Sequence, residues 1–330
     1  MKYFTEPNGL FIIQIPTDWQ YMNIAAGYKE ESPFSFELYH GRVGAFQISC
    51  YSNKDKPVKP HHKIQKADTR NLEFMEFRMD DEKFNVHIWG ASVEDHMLLA
   101  KYIYDANKAE TPKIKRELNK VKEALSKLEF ISEPKRPLAL EMDKYDKFMA
   151  SLMASFDLKN EAIKSKSLIE LLIISANQID AYLRMALVLS RQLEGKSERI
   201  DVKLLFQGEN DAPVMERKIY QQAKDRAIID TDTFDKLELL YKERNKVVHR
   251  YIITDFKTRD LYQIVYDYEQ VSEIVRLALR DIETKQFNDG IGVYGNCDPH
   301  QHPSTRDLQV MYSRINDKHL IKKRNRAIKE

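Results

Sequence analysis

The spacing of apolar residues changes once along this chain, and the change calls for two different kinds of core. Up to about residue 130 apolar side chains recur at every second position, the period of a strand with one face buried. Beyond it they recur every third or fourth position, the period of an amphipathic helix. In the first part Phe11, Ile13 and Ile15 alternate ahead of a turn at 16–19. Phe34, Phe36 and Leu38 alternate next, then Phe46, Ile48 and Cys50 after a connection at 41–44, which is a hairpin pattern. Leu72 and Phe74 share a face that Phe77 and Met79 continue out of step, so a bulge is expected near Met75. Phe84, Val86 and Ile88 alternate in the following strand, and residues 97–104 supply a last one across a short turn at Glu94 and Asp95. This order describes a mostly antiparallel meander. Residues 113–130 then place Ile114, Leu118, Val121, Leu125 and Leu128 on one side of a helix that should cover one sheet face.

Residues 132–137, Ser-Glu-Pro-Lys-Arg-Pro, interrupt both periods and read as a linker. Helices are predicted over 145–156, 165–193, 214–229, 232–252 and 261–285, with breaks at 207–213 and 230–232. The chain thus divides into an α+β N-terminal domain over 1–132 and a linker over 133–141. An all-α helical bundle over 142–287 follows, then a glycine-containing segment and basic C-terminal helix or tail over 288–330. At 330 residues there is enough chain for two separate cores.

Lys and Arg number 53 against 51 Asp and Glu, so a net charge of +2 gives no global basic field, and any RNA contact must be local. DNA binding is not indicated. Cys50 and Cys297 lie far apart and form no ligand spacing, which suits a reduced, cytoplasmic setting. No apolar signal core and no run near eighteen apolar residues occurs, so neither secretion nor a membrane span is expected.

The chemistry concentrates in residues 240–251, Leu-Tyr-Lys-Glu-Arg-Asn-Lys-Val-Val-His-Arg-Tyr. At about 100° per residue, Leu237, Leu240, Val247, Val248 and Tyr251 fall within about 60° of Arg244. The guanidinium is therefore rooted in an apolar stripe, where an unpaired charge is costly and a partner is required. Asp180, beside Ile173 at the border of the stripe formed by Ile169, Leu172, Ala176, Leu183 and Leu187, is the expected counter-ion. The same predicted helix is apolar on its other side through Leu171, Ile174, Tyr182, Met185 and Leu189. A second protomer could cover that face, making a homodimer through the helical domain. Asn245 and His249 stand one turn apart at the stripe margin.

Arg-x4-His with a polar residue after the arginine, followed by x-Tyr, resembles the signature of the HEPN superfamily, in the form carried by HepT-type toxins. The match covers Arg244, Asn245, His249 and Tyr251. HEPN domains are four- or five-helix bundles that commonly dimerise with their motifs facing across a two-fold axis. The resemblance implies a metal-independent endoribonuclease, a toxin or defence effector needing no cofactor. In that mechanism His249 acts as acid or base and Arg244 meets the phosphate. Asn245 orients the imidazole, Asp180 and Tyr251 support, and Arg250 and Lys246 contact RNA. It equally implies the alternative of a non-catalytic HEPN-containing nucleotide- or protein-binding protein, in which Arg244 and Asp180 are a structural pair. No nucleotidyltransferase antitoxin motif accompanies the segment in this chain.

The Ile15-Pro16-x-x-Trp19 opening, the twisted antiparallel sheet and the closing helix resemble the PsbP-like fold over residues 1–132. That resemblance implies a binding or scaffolding module, with a protein partner, rather than an enzyme. His61 and His62 are adjacent on a Lys/Pro-rich loop without a third ligand, and solvated histidines are expected. Cys297, His300 and His302 are closely spaced but lack a fourth metal ligand, so no metal is assigned. Gly290, Gly292 and Gly295 do not follow a strand, which rules against a phosphate loop. A final helix over 306–326 ends in Lys318, Lys322, Lys323, Arg324 and Arg326, read as a solvated basic tail.

Overall fold

Alternation in the first part becomes two antiparallel sheets, and helical spacing in the second becomes a bundle, in a computed structural model that describes residues 1–53, 63–208 and 211–328. The first elements are β1 (Lys2–Thr5), β2 (Phe11–Ile15), β3 (Trp19–Tyr21), a single turn α1 (Met22–Ala25), β4 (Phe34–Leu38), β5 (Gly44–Ser52), β6 (Met75–Asp80), β7 (Phe84–Val93) and β8 (His96–Asp105). Then come α2 (Pro112–Ser126), β9 (Glu129–Phe130), α3 (Arg136–Ser165), α4 (Leu168–Gly195), a single turn α5 (Val202–Leu205), α6 (Glu216–Asp225), α7 (Thr231–Arg250), α8 (Thr258–Asp289) and α9 (Thr305–His319). The chain forms two compact units. Unit 1 comprises Met1–Asp143 with Ser304–Glu330, and unit 2 comprises Lys144–Pro303. His61 and His62 lie outside the described residues.

In unit 1 the strand orders are β1-β2-β9 and β3-β4-β5-β8-β7-β6, with every named pair antiparallel. Phe11, Ile13, Ile15, Phe34, Phe36, Phe46 and Ile48 are all buried, as their alternation requires. Helix α2 starts with Thr111 accepting a hydrogen bond from the Ile114 amide and buries Ile114, Val121 and Leu125 in this core. It also buries Glu117, whose Oε2 accepts from the Trp19 indole N–H at 2.8 Å while Oε1 meets Lys120 at 2.9 Å. A carboxylate in that position is tolerable only because it is paired.

The structure differs from the sequence expectation in three places here. No bulge interrupts β6, which pairs with β7 continuously from Met75↔Gly90 to Asp80↔Asn85, and Leu72 and Phe74 precede the strand. In β7 the inward face is Asn85, His87, Trp89, Ala91 and Val93, and Phe84, Val86 and Ile88 run along the outer one. Trp89 decides this, because its area outweighs that of any aliphatic on the opposite face and all residues of one parity turn together. His87 is accommodated inside by Glu76 Oε1 at 3.0 Å and the Tyr104 hydroxyl at 3.2 Å. The C-terminal basic segment is folded back on the unit rather than left as a free tail, with Lys318, Lys322 and Lys323 exposed on it. Helix α9 ends at His319, and Asn316 turns the chain back by bonding the backbone of Arg326 in both directions, at 2.7 and 2.9 Å. Ser313 donates to the Thr17 carbonyl at 2.6 Å, and Asp317 pairs with the buried Lys2.

The expected linker is helical. A 3-10 turn at Glu133–Lys135 leads straight into α3. Pro134 and Pro137 occupy first-turn positions, where a missing N–H removes no helix bond.

Unit 2 is built around α4. By length and composition alone this helix could cross a bilayer, but most of its apolar residues are packed within the unit. Leu172, Ala176, Leu183 and Leu187 are buried on one side, and Tyr182, Met185 and Leu189 on the other. Helix α8 forms the most extensive of its packings. Three of the five residues of the second apolar face are thus buried within the chain, while Leu171 and Ile174 stay partly exposed. Helix α8 ends at Gly290 in the left-handed conformation. Gly292 follows at φ 79°, and a Cβ there would lie 2.3 Å from the Gln286 amide. That glycine segment is folded in: Gln286 receives the Tyr294 N–H at 3.1 Å, and Val293 and Tyr294 pack on the core.

Candidate functional site

Helix α7 opens with Asp230 capping the Thr233 amide at 2.8 Å and buries Leu237, Leu240 and Val247. Arg244 lies on that face, as the wheel predicts, with its side chain 16% exposed. Its partner is not Asp180. Nη1 donates to Glu216 Oε2 at 2.6 Å, Nη2 donates to Asn245 Oδ1 at 3.1 Å, and the guanidinium stands 4.8 Å from the Tyr241 ring centroid. Glu216 Oε1 accepts from the hydroxyl of Tyr220, and Tyr268 of α8 donates to the Leu240 carbonyl at 3.0 Å. Burial works against the charge of Arg244, but the bond and attraction of Glu216 prevail and raise its pKa. Burial, reinforced by Glu216, raises the Tyr220 phenol.

Asp180 is taken by its own helix. Arg184, one turn on, donates Nε to Asp180 Oδ2 at 2.6 Å, Nη1 to the Leu204 carbonyl at 3.0 Å and Nη2 to the Val214 carbonyl at 2.9 Å. A partner four residues along the same helix is reached without any interhelical geometry. Burial raises the Asp180 pKa against the pull of Arg184, and the charges of Glu216 and Arg244 are felt there as well. Its Oδ1 is shut off from solvent and has no hydrogen-bond partner among the described residues. Two ion pairs therefore stand side by side where one was expected.

The remaining motif residues do not converge. His249 is exposed and makes no hydrogen bond to Asn245, whose oxygen is turned to Arg244. Helix α7 stops at Arg250, and Tyr251 belongs to a 3-10 turn, its hydroxyl 3.4 Å from Thr258 Oγ1 and its ring 6.4 Å from Phe256. Lys246 pairs with Glu243 at 2.6 Å, and Arg250 is exposed. The surface about His249 also carries Val248, Ile252 and Ile253, the last two 94% and 79% exposed. Further on, His300 Nε2 lies 3.0 Å from Thr284 Oγ1, and Cys297, His300 and His302 form no three-ligand group among the described residues.

A cavity that the sequence reading did not foresee borders the Asp180–Arg184 pair. It measures about 740 Å³ and includes Lys144, Phe148, Asn177, Lys203 and Phe206 in its wall. Helices α3 and α4 form one side, and the α5 turn with its following loop forms the other. Arg184 holds this loop by its two carbonyl bonds, and Lys144 Nζ lies 3.9 Å over the Phe206 ring. The signal available beforehand was the Asp180-x3-Arg184 spacing on a helix. The loop appeared only as a break between helices, so its share of the wall was not legible.

No family model matches the chain, and no curated protein matches it. Among solved structures, a protein from Bacteroides thetaiotaomicron aligns at 14% identity over 55% of this chain and 76% of its own length, with a TM-score of 0.28. A likeness at that level carries no argument about fold or activity.

Proposed function

We propose that unit 2 is a non-catalytic, HEPN-like binding module whose working site is the cavity bordered by Asp180 and Arg184, and that the ligand is nucleotide-like. The observation that carries this reading is the cavity itself, about 740 Å³, with an ion pair in its wall whose carboxylate is held above its usual pKa by burial. Concave sites with a few converging polar groups and a perturbed titrating group are where ligands bind. Phe148 offers a face for a planar ring, Asn177 offers a donor and an acceptor to a base edge, and Lys203 offers a cation to a phosphate. Unit 1 bears no chemical motif and serves as a PsbP-like binding or scaffolding module.

The test is calorimetric titration of the full chain with AMP and ATP. Asn177→Ala and Lys203→Glu should each weaken binding about ten-fold, the scale of one lost polar contact. Binding indifferent to both substitutions overturns the reading.

A metal-independent ribonuclease is the second reading, favoured by the exposed His249 imidazole beside Lys246 and Arg250. Cleavage of mixed RNA in the presence of a chelator, abolished by His249→Ala, would establish it in place of the first.

A further inference from the structure

Strand β6 ends the six-stranded sheet. It pairs with β7 on one side, and among the described residues no strand lies along its other side. All six of its residues, Met-Glu-Phe-Arg-Met-Asp, are exposed. An open edge is a row of unpaired N–H and C=O groups and a template for another strand. β6 carries no proline, and its register is unbroken. Its outward face is apolar: Phe77 and Met79 are 50% and 62% exposed, and the patch continues across Ile88 and Val86 of β7 to Ile103 of β8. Its inward face is charged, through Glu76, Arg78 and Asp80.

The free edge has a definite polarity. The hairpin between β6 and β7 closes on the Asp81 amide, which donates to the Phe84 carbonyl. Bonded and non-bonded positions alternate in an antiparallel pair, so residues 79, 77 and 75 spend their backbone groups on β7. The amides and carbonyls of Glu76, Arg78 and Asp80 point to the open side. Two copies of β6 related by a two-fold axis then have few ways to pair. About Arg78, Arg78 meets Arg78 and Glu76 meets Asp80, so every polar pair is repulsive. About Glu76, Glu76 meets itself. About Met79, the overlap runs into the hairpin turn. About Phe77, Glu76 of each copy meets Arg78 of the other at both bonded positions. Phe77 then meets Phe77 in the closely spaced position, and Met75 meets Met79 on the outward face. Opposite charges and apolar pairs at directly opposed positions are the favourable cross-strand arrangement.

We infer that this chain associates with a second copy of itself through β6, edge to edge about Phe77, joining two six-stranded sheets into one. Sedimentation velocity of the full chain over a concentration series tests it. The wild type should pass from monomer to dimer as concentration rises. Arg78→Glu sets a carboxylate against the carboxylate of Glu76 at both bonded positions, and Glu76→Arg sets a guanidinium against that of Arg78. Each should weaken self-association at least ten-fold. An equimolar mixture of these two variants should dimerise again, because each cross-strand pair in the mixed dimer is of opposite sign. Glu76 also bonds His87 and Lys122 within its own chain, so Arg78→Pro provides a variant that spares them. That proline deletes an amide facing the open edge, leaves the ladder to β7 whole, and should leave a folded monomer. A wild type that stays monomeric throughout overturns the inference. So does dimerisation unaffected by Arg78→Pro, or a mixture of folded charge variants no more associated than its components.

Discussion

Replacing Glu216 with glutamine tests whether Arg244 is a structural cation. Both side chains of the pair are about one-sixth exposed, at 16% and 17%. Removing one partner of a fully buried pair costs about 3–5 kcal/mol, and a solvent-exposed pair is worth about 0–1 kcal/mol. The burial here lies nearer the first limit, which gives about 2–3 kcal/mol. A carboxamide has one oxygen where the carboxylate has two, so it can serve Arg244 or the fully buried Tyr220, and the other loses its acceptor. For a unit of about 160 residues each kcal/mol lowers Tm by about 2–4 °C, so a fall of about 5–10 °C is expected. Far-UV circular dichroism follows the helical unit. Trp19 and Trp89 both lie in unit 1, and their fluorescence reports on that unit separately. Arg244→Met and the double variant complete a cycle whose coupling should be about 1–2 kcal/mol. A cost below about 0.5 kcal/mol for Glu216→Gln, or strict additivity in the cycle, would refute the reasoning and release Arg244 for a ligand.

Two further outcomes are expected. Asp68 is raised by its burial but lowered further by bonds from Lys135 and Ser132, which leave its pKa at about 2. A carboxylate held below its unfolded value of about 3.9 stabilises fully above that pH, and the contribution is lost as pH falls toward 2. Asp68→Asn should therefore be less stable than wild type at pH 6, with the gap closing between about pH 4 and 2 in denaturant titrations; a gap independent of pH would contradict the assignment. Burial, with Glu6 nearby, pushes the Cys50 thiol up to about 12, whereas Cys297 is exposed. A disulfide reagent at pH 8 should modify one thiol promptly and the second only after denaturation, and two equally fast thiols would contradict it.

The sequence carried the division into a sheet unit and a helical unit because hydrophobic period is a local property. Ile114 and Val121 of α2, or Leu237 and Leu240 of α7, announce their burial by spacing alone. What spacing could not announce was partnership. A wheel places Arg244 in an apolar stripe, but it says nothing about whether α4 or α6 supplies the opposing carboxylate, and Glu216 sits in the first turn of α6 where a helix-end acid looks like a cap. The second face of α4 looked unpartnered for the same reason, since α8 lies about 90 residues further on. In β7 the apolar count favoured Phe84, Val86 and Ile88, and the choice of face was made by one tryptophan. Residues 133–141 carried two prolines that mark a loop in isolation. A helix first turn accommodates both, and only the continuation into α3 distinguishes the cases.

The pairing of Arg244 also bears on how the two functional readings compare. For this guanidinium to meet a phosphate it must first leave Glu216, at a cost of about 2–3 kcal/mol, or roughly 30- to 150-fold in affinity. His249 gains no orientation from Asn245 in compensation, because the amide oxygen is already engaged with Arg244. A two-fold partner imidazole has a weaker packing argument, since Tyr182, Met185 and Leu189 on the second face of α4 are buried within unit 2. The cavity beside Asp180 asks for none of these changes. Its loop wall is already tied by Arg184 to the Leu204 and Val214 carbonyls, and Asn177 and Lys203 stand in the wall without giving up a buried pair. A ligand entering there loses little to reorganisation, the condition under which modest contacts become measurable affinity.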